Sequence, residues 1–149
     1  MRASSPSRVL IVAHQTADSP ELLDAVMRRA EAGPCTFTLL VPPRALTLRR
    51  VLEGPNPGAL EAEKRLEAVI PIVSEAAGEL IVGVVGSPEP LIAVQDALTV
   101  LGFDEVMISM LPVRESRWFA QDLPRKVRAL GVPVTEIITS AREPDPTAA

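Results

Sequence analysis

The sequence predicts an α/β domain, an open five-stranded parallel sheet with helices on both of its faces, and three observations carry that expectation. Short aliphatic runs alternate along the chain with longer segments whose apolar residues recur every three or four positions. The first run, Arg8 to Ala13, reads RVLIVA and has no polar member after Arg8, as expected for a strand covered on both faces. Strand and helix segments follow one another singly, which the right-handed crossover rule converts into parallel pairing.

After the polar stretch His14 to Asp18, Ser19 can accept from free backbone N–H groups. Pro20 suits the first helical position and Glu21 complements the helix dipole. The first helix should therefore start here, bury Leu22, Leu23, Val26, Met27 and Ala30, and stop at Gly33-Pro34. Thr36 to Val41 (TFTLLV) is the second strand, closed by Pro42-Pro43. Arg44 to Gly58 has mixed periodicity and ends in Gly-Pro-Asn-Pro-Gly, so it reads as a loop. From Ala59 to Ala77 a long helix should bury Ala62, Leu66, Val69, Val73 and Ala76, interrupted by Pro71. Glu79 to Val85 is the third strand. Gly86-Ser87-Pro88-Glu89 repeats the start chemistry of Ser19-Pro20-Glu21, and Leu91, Val94, Leu98 and Leu101 mark the inward face of the helix it opens. Glu105 to Met110 is the fourth strand, Arg117 to Leu130 a helix broken at Pro124 with Asp122 positioned to recap it, and Pro133 to Thr139 the fifth strand. Residues 8–139 thus form one domain, with 1–7 and 140–149 expected to be disordered ends.

Composition narrows function mainly by exclusion. A net charge of -4 with a pI near 5.1, one Trp, three Phe and no Tyr give neither a basic field nor stacking platforms, so nucleic acid and anionic membranes are not expected partners. The run Val9 to Ala13 is too short for a signal sequence or a membrane span, and the lone Cys35 forms no internal disulfide, which points to a reducing, cytoplasmic setting. Cys35, at the entrance to the second strand, reads as a small buried hydrophobe. No metal-ligand spacing is present, no catalytic set is complete, and no cofactor is expected.

In open α/β sheets ligands bind beyond the carboxyl ends of the strands where the winding reverses, here expected between the first and fourth strands. One loop brings His14, Gln15, Thr16 and Asp18 there, and the other brings Ser109, Arg114, Ser116 and Arg117. A capped helix start at Ser116 together with an arginine would hold a phosphate or another small anion. The simpler reading, which the commonness of caps favours, is that Ser116 only caps the helix, with the arginines solvated or paired with Glu115 and Asp122. Arg125, Lys126 and Arg128 read as the outer face of the last helix, and Trp118 and Phe119 as its core anchors. His14, the single histidine, is the one side chain that ordinarily titrates near neutrality, though alone it defines no catalytic group.

The layout from Arg8 to Thr139 resembles the universal stress protein family, an adenine-nucleotide-hydrolase-like fold. Members of that family typically open with a strand, Asp-Gly-Ser, two or so residues and Ser; here His14, Thr16 and Ser19 stand at the Asp and the two Ser positions. Nucleotide-binding members follow the fourth strand with Gly, two residues, Gly, nine residues, then Gly and Ser or Thr. In this chain Ser109 to Arg128 holds no glycine, and Ser109 and Pro112 occupy the first two glycine positions. The resemblance therefore implies a regulatory or interaction module that does not hold ATP in the family manner, and a homodimer formed through the last strand, Val134 to Thr139. The stretch Ser116-Arg117-Trp118-Phe119, followed by Asp122-Leu123-Pro124 and Val132-Pro133-Val134-Thr135, is similar to an actinobacterial group of that family. Binding of a phosphate-bearing or other anionic metabolite through His14, Gln15, Thr16, Ser109, Arg114, Ser116 and Arg117 is the alternative, and nucleotide hydrolysis ranks after both.

Overall fold

The computed structural model describes residues 6–13, 16–42, 57–86, 89–111 and 122–139. In chain order these form β1 (Ser7–Val12), α1 (Pro20–Ala32), β2 (Cys35–Val41), α2 (Pro57–Ala77), β3 (Val82–Val85), α3 (Pro90–Val100), β4 (Glu105–Met110), α4 (Leu123–Arg128) and β5 (Val134–Ile138). The sheet is five-stranded in the order β3-β2-β1-β4-β5, with every neighbouring pair parallel. The fold class is the one expected, and the winding reverses between β1 and β4.

β1 explains why the sheet needs helices on both sides. Its side chains alternate across the sheet, so Val9 and Ile11 enter the layer formed with α1 and α2, while Leu10 and Val12 enter the layer formed with α3 and α4. All four are completely buried. Removing such a side chain from water contributes roughly 1.5–3 kcal/mol, and β1, contributing to both layers, is the strand on which the two cores meet.

The helices differ from expectation in instructive ways. Ser19 caps α1 as expected, with the Leu22 N–H donating to its Oγ at 3.2 Å and Pro20 in the first turn. Leu22 and Val26 are buried and Leu23 and Ala30 partly so, but Met27 is 46% exposed. One residue rotates a helix by about 100°, and the stripe centred on Leu22 and Val26 leaves Met27 at its margin. In α2 the expected face holds, with Ala62, Leu66, Val69 and Val73 buried and Ala76 partly buried. The helix starts two residues earlier than expected, at Pro57, and runs through Pro71 without ending. Pro71 and Glu67 are both exposed, so water can serve the carbonyl that the missing N–H leaves unpaired.

β3 starts at Val82 rather than Glu79. Gly78, at φ +81, ends α2 in a left-handed turn in which the Glu79 N–H still serves the Ser74 carbonyl and the Ile81 N–H donates to Ser74 Oγ. Those donors are therefore unavailable to a ladder. α3 starts at Pro90 rather than Pro88, because a residue before proline is pushed away from helical ψ, and Glu89 is extended there and makes no side-chain cap bond. Its buried face accordingly centres on Ala93, Val94 and Ala97, leaving Leu91 and Leu98 partly buried and Leu101 40% exposed.

Pro124 lies in the first turn of α4, which starts at Leu123 directly after the non-helical Asp122, and there its missing N–H has no helical partner to serve. Asp122 occupies the preceding cap position with φ 57 but makes no side-chain cap bond, its carboxylate lying 3.5 Å from Arg125 instead. Arg125, Lys126 and Arg128 are exposed, as expected. The expected helical residues 117–121, with Trp118 and Phe119, and nearly all of the segments 1–7 and 140–149 lie outside the described residues.

Candidate functional site at the switch point

The turn after β1 and the end of β4 come together at the carboxyl edge, on the α1 side of the sheet. Ile108 and Met110 face the α3–α4 layer and Met107 faces the α1–α2 layer, so strand alternation aims Ser109 toward α1. There it meets Thr16, whose Oγ1 lies 2.6 Å from Ser109 Oγ; both residues are buried. Two of the seven expected site residues are thus in direct contact across the switch point. His14, Gln15, Arg114, Ser116 and Arg117 lie outside the described residues.

The same edge carries a second hydroxyl pair that sequence reasoning missed. Thr139, just past β5, donates from Oγ1 to Ser19 Oγ at 2.9 Å, and its N–H donates to the Met110 carbonyl at 2.8 Å. The Ser19 N–H in turn donates to the Thr16 carbonyl at 3.0 Å. Ser109, Thr16, Ser19 and Thr139 therefore form a buried ring that starts and closes on β4. Cap chemistry had found Ser19, and the ligand argument Thr16 and Ser109. No local signal pointed to Thr139, because its partner is 120 residues away.

Ser19 Oγ accepts from both Leu22 N–H and Thr139 Oγ1, leaving its own proton with no acceptor among the described residues. Thr16 and Ser109 share one bond between two hydroxyls, so one of their protons is also unspent among the described residues. Buried donors of this kind favour an acceptor oxygen. Asp18, the other polar residue of the first loop, pairs with Arg65 of α2 at 2.8 Å.

At the opposite, amino edge of the sheet, Arg29 of α1 makes two parallel 2.9 Å bonds to the Glu105 carboxylate of β4. This contact raises the Arg29 pKa, foremost through that hydrogen bonding and against the opposing effect of burial. Cys35 is half-buried beside it, and burial pushes its thiol pKa up. It packs against the α1–α2 core as a small hydrophobe, partly buried where full burial was expected. Among the described residues no group of His, Cys, Asp or Glu is arranged to hold a metal ion, and no helix is long and apolar enough to cross a membrane.

No protein-family model and no curated protein matches the chain. Solved structures do. A universal stress protein family protein from Arabidopsis thaliana with AMP bound superposes with a TM-score of 0.62 at 14% identity, covering 96% of this chain and 99% of that one. A protein of the same family from Burkholderia pseudomallei gives 0.61 at 14% identity over 91% of this chain and 98% of that one. The fold is that of the universal stress proteins. A universal stress protein from Archaeoglobus fulgidus agrees, with a TM-score of 0.59 at 15% identity over 90% of this chain and 99% of its own. At these identities the likeness extends to the universal stress protein fold alone.

Proposed function

We propose that the chain is a regulatory or interaction module on the universal stress protein fold that does not hold ATP in the manner of the family's nucleotide-binding members. The observation that carries this reading is Ser109. It stands where the resemblance places the first phosphate-loop glycine, it is 1% exposed, and its hydroxyl is bonded to Thr16 across the switch point. A side chain bonded there occupies space that close backbone approach to a phosphate requires. The module acts in the cytoplasm as a single domain over residues 8–139. It forms a homodimer through β5, which lies at the sheet edge and carries Ile138 at 41% exposure.

The second reading, a sensor of a small phosphate-bearing or other anionic metabolite, is favoured by the hydroxyl protons at the same edge that find no acceptor among the described residues. It is supported further by the AMP bound to the Arabidopsis protein of like fold. Hydrolysis of a nucleotide ranks behind both, since no catalytic set is complete. Thermal unfolding with magnesium ATP, AMP and inorganic phosphate separates the readings, because a ligand at 100 times its Kd stabilises by about 2.7 kcal/mol. The interaction module expects no shift with any of the three, the sensor a shift with AMP or phosphate. A large shift with magnesium ATP would sink the interaction-module reading.

A further inference from the structure

We propose that the hydroxyl ring Ser109–Thr16–Ser19–Thr139 couples the crevice between β1 and β4 to the order of the edge strand β5. The ligand half of this inference rests on the sensor reading above; the coupling itself is a property of the ligand-free protein.

β5 has a sheet neighbour on one side only, β4, and is not adjacent to β1. Beyond its ladder, its carboxyl end is fastened by two bonds of Thr139, one to Met110 and one to Ser19. Ser19 is not free to follow β5 if the turn moves. Its N–H is tied to the Thr16 carbonyl, and its Oγ caps α1. Thr16 is in turn set by Ser109. Whatever draws Thr16 off Ser109 therefore shifts the residue that supplies Thr139 with its acceptor. All four residues are more than nine-tenths buried, so a hydroxyl separated from its partner finds no water in its place, and the bonds are expected to hold or break together. An acceptor oxygen entering the crevice competes for the Thr16 and Ser109 hydroxyls. Through the ring, it acts on the strand edge through which a second copy would dock.

The test is amide hydrogen exchange at Thr139 in the full chain, with Thr16→Val, Thr139→Val and the double variant. Thr16→Val removes the hydroxyl and keeps the shape, and is expected to speed exchange at the Thr139 N–H by about tenfold, the equivalent of breaking one buried bond. The double variant should exchange no faster than Thr139→Val alone, while Thr16→Ser, which restores a hydroxyl, should return the slow rate. Exchange at Thr139 unchanged within about twofold in Thr16→Val, or effects that simply multiply in the double variant, would overturn the coupling. Should Thr16→Val fail to fold, Ser109→Ala removes the same bond from its other end and is read in the same way. Titration with AMP then adds the ligand half. Binding that changes Thr139 exchange in the wild type but not in Thr16→Val supports the inference, and binding that leaves that amide unmoved contradicts it. Absence of AMP binding counts against the sensor reading alone, because the ligand-free variants still decide the coupling.

Discussion

Gly86→Ala is expected to destabilise the protein markedly more than Gly83→Ala, although both glycines pack beneath a helix. A Cβ at Gly86 would lie 2.8 Å from Ala93 Cβ and 2.8 Å from Leu40 Cδ1, with Ala93 Cα at 3.5 Å. Carbon atoms rest at about 3.5–4.0 Å. Leu40 can turn its terminal methyl, but Ala93 has no rotamer to change, so α3 itself would have to lift by most of an ångström. Overpacking of that kind costs about 1–3 kcal/mol, offset by about 0.4–1 kcal/mol from the stiffer unfolded chain, for a net loss near 1–2 kcal/mol. In a chain of this size that lowers Tm by roughly 3–6 °C. At Gly83 the new Cβ meets Leu66 Cδ2 at 2.7 Å and Ile70 Cδ1 at 2.8 Å, the far ends of flexible side chains that can move aside. The net effect there is expected to stay within about 1 kcal/mol of zero. Urea unfolding of both variants makes the comparison, and Ala93→Gly should cost less in the Gly86→Ala background than alone, because it removes the clashing carbon. Equal stability of Gly86→Ala and wild type, or a greater loss at Gly83, would refute the reasoning.

Ser19→Ala removes both the α1 cap and the acceptor of Thr139, and should cost about 1–3 kcal/mol in urea unfolding, at or above the usual range for a cap alone. Arg29→Lys keeps the charge but loses the two-point grip on Glu105, and a loss of about 1–2 kcal/mol by the same assay would confirm that the paired geometry matters. Burial raises the Cys35 pKa, so iodoacetamide at pH 8 should alkylate the native protein more slowly than the urea-unfolded chain. With the folded value above the unfolded one, the thiol favours folding below the unfolded pKa, roughly 8.5, and that contribution fades as pH rises through the folded value. Cys35→Ser should flatten this part of the alkaline decline in Tm.

The strand arrangement was legible because β1 is aliphatic on both faces and each helix carries an apolar stripe. Helix and strand starts were less so, since they turned on backbone details: Pro90 displacing the start of α3, Ser74 taking donors from the beginning of β3, and solvent beside Pro71 letting α2 continue. The site divided similarly. Thr16 and Ser109 follow from topology alone, because any chain wound this way brings the ends of β1 and β4 together. That they bond each other, and that Thr139 closes a ring through Ser19, depends on the register of β5 against β4, which no local pattern in the sequence encodes.

Isothermal titration of the full chain with ATP and magnesium addresses the central claim most directly. With Ser109, at the position the resemblance gives to the first glycine, bonded to Thr16, the proposal expects no saturable heat up to millimolar ATP. A one-site isotherm with a micromolar Kd would contradict the account.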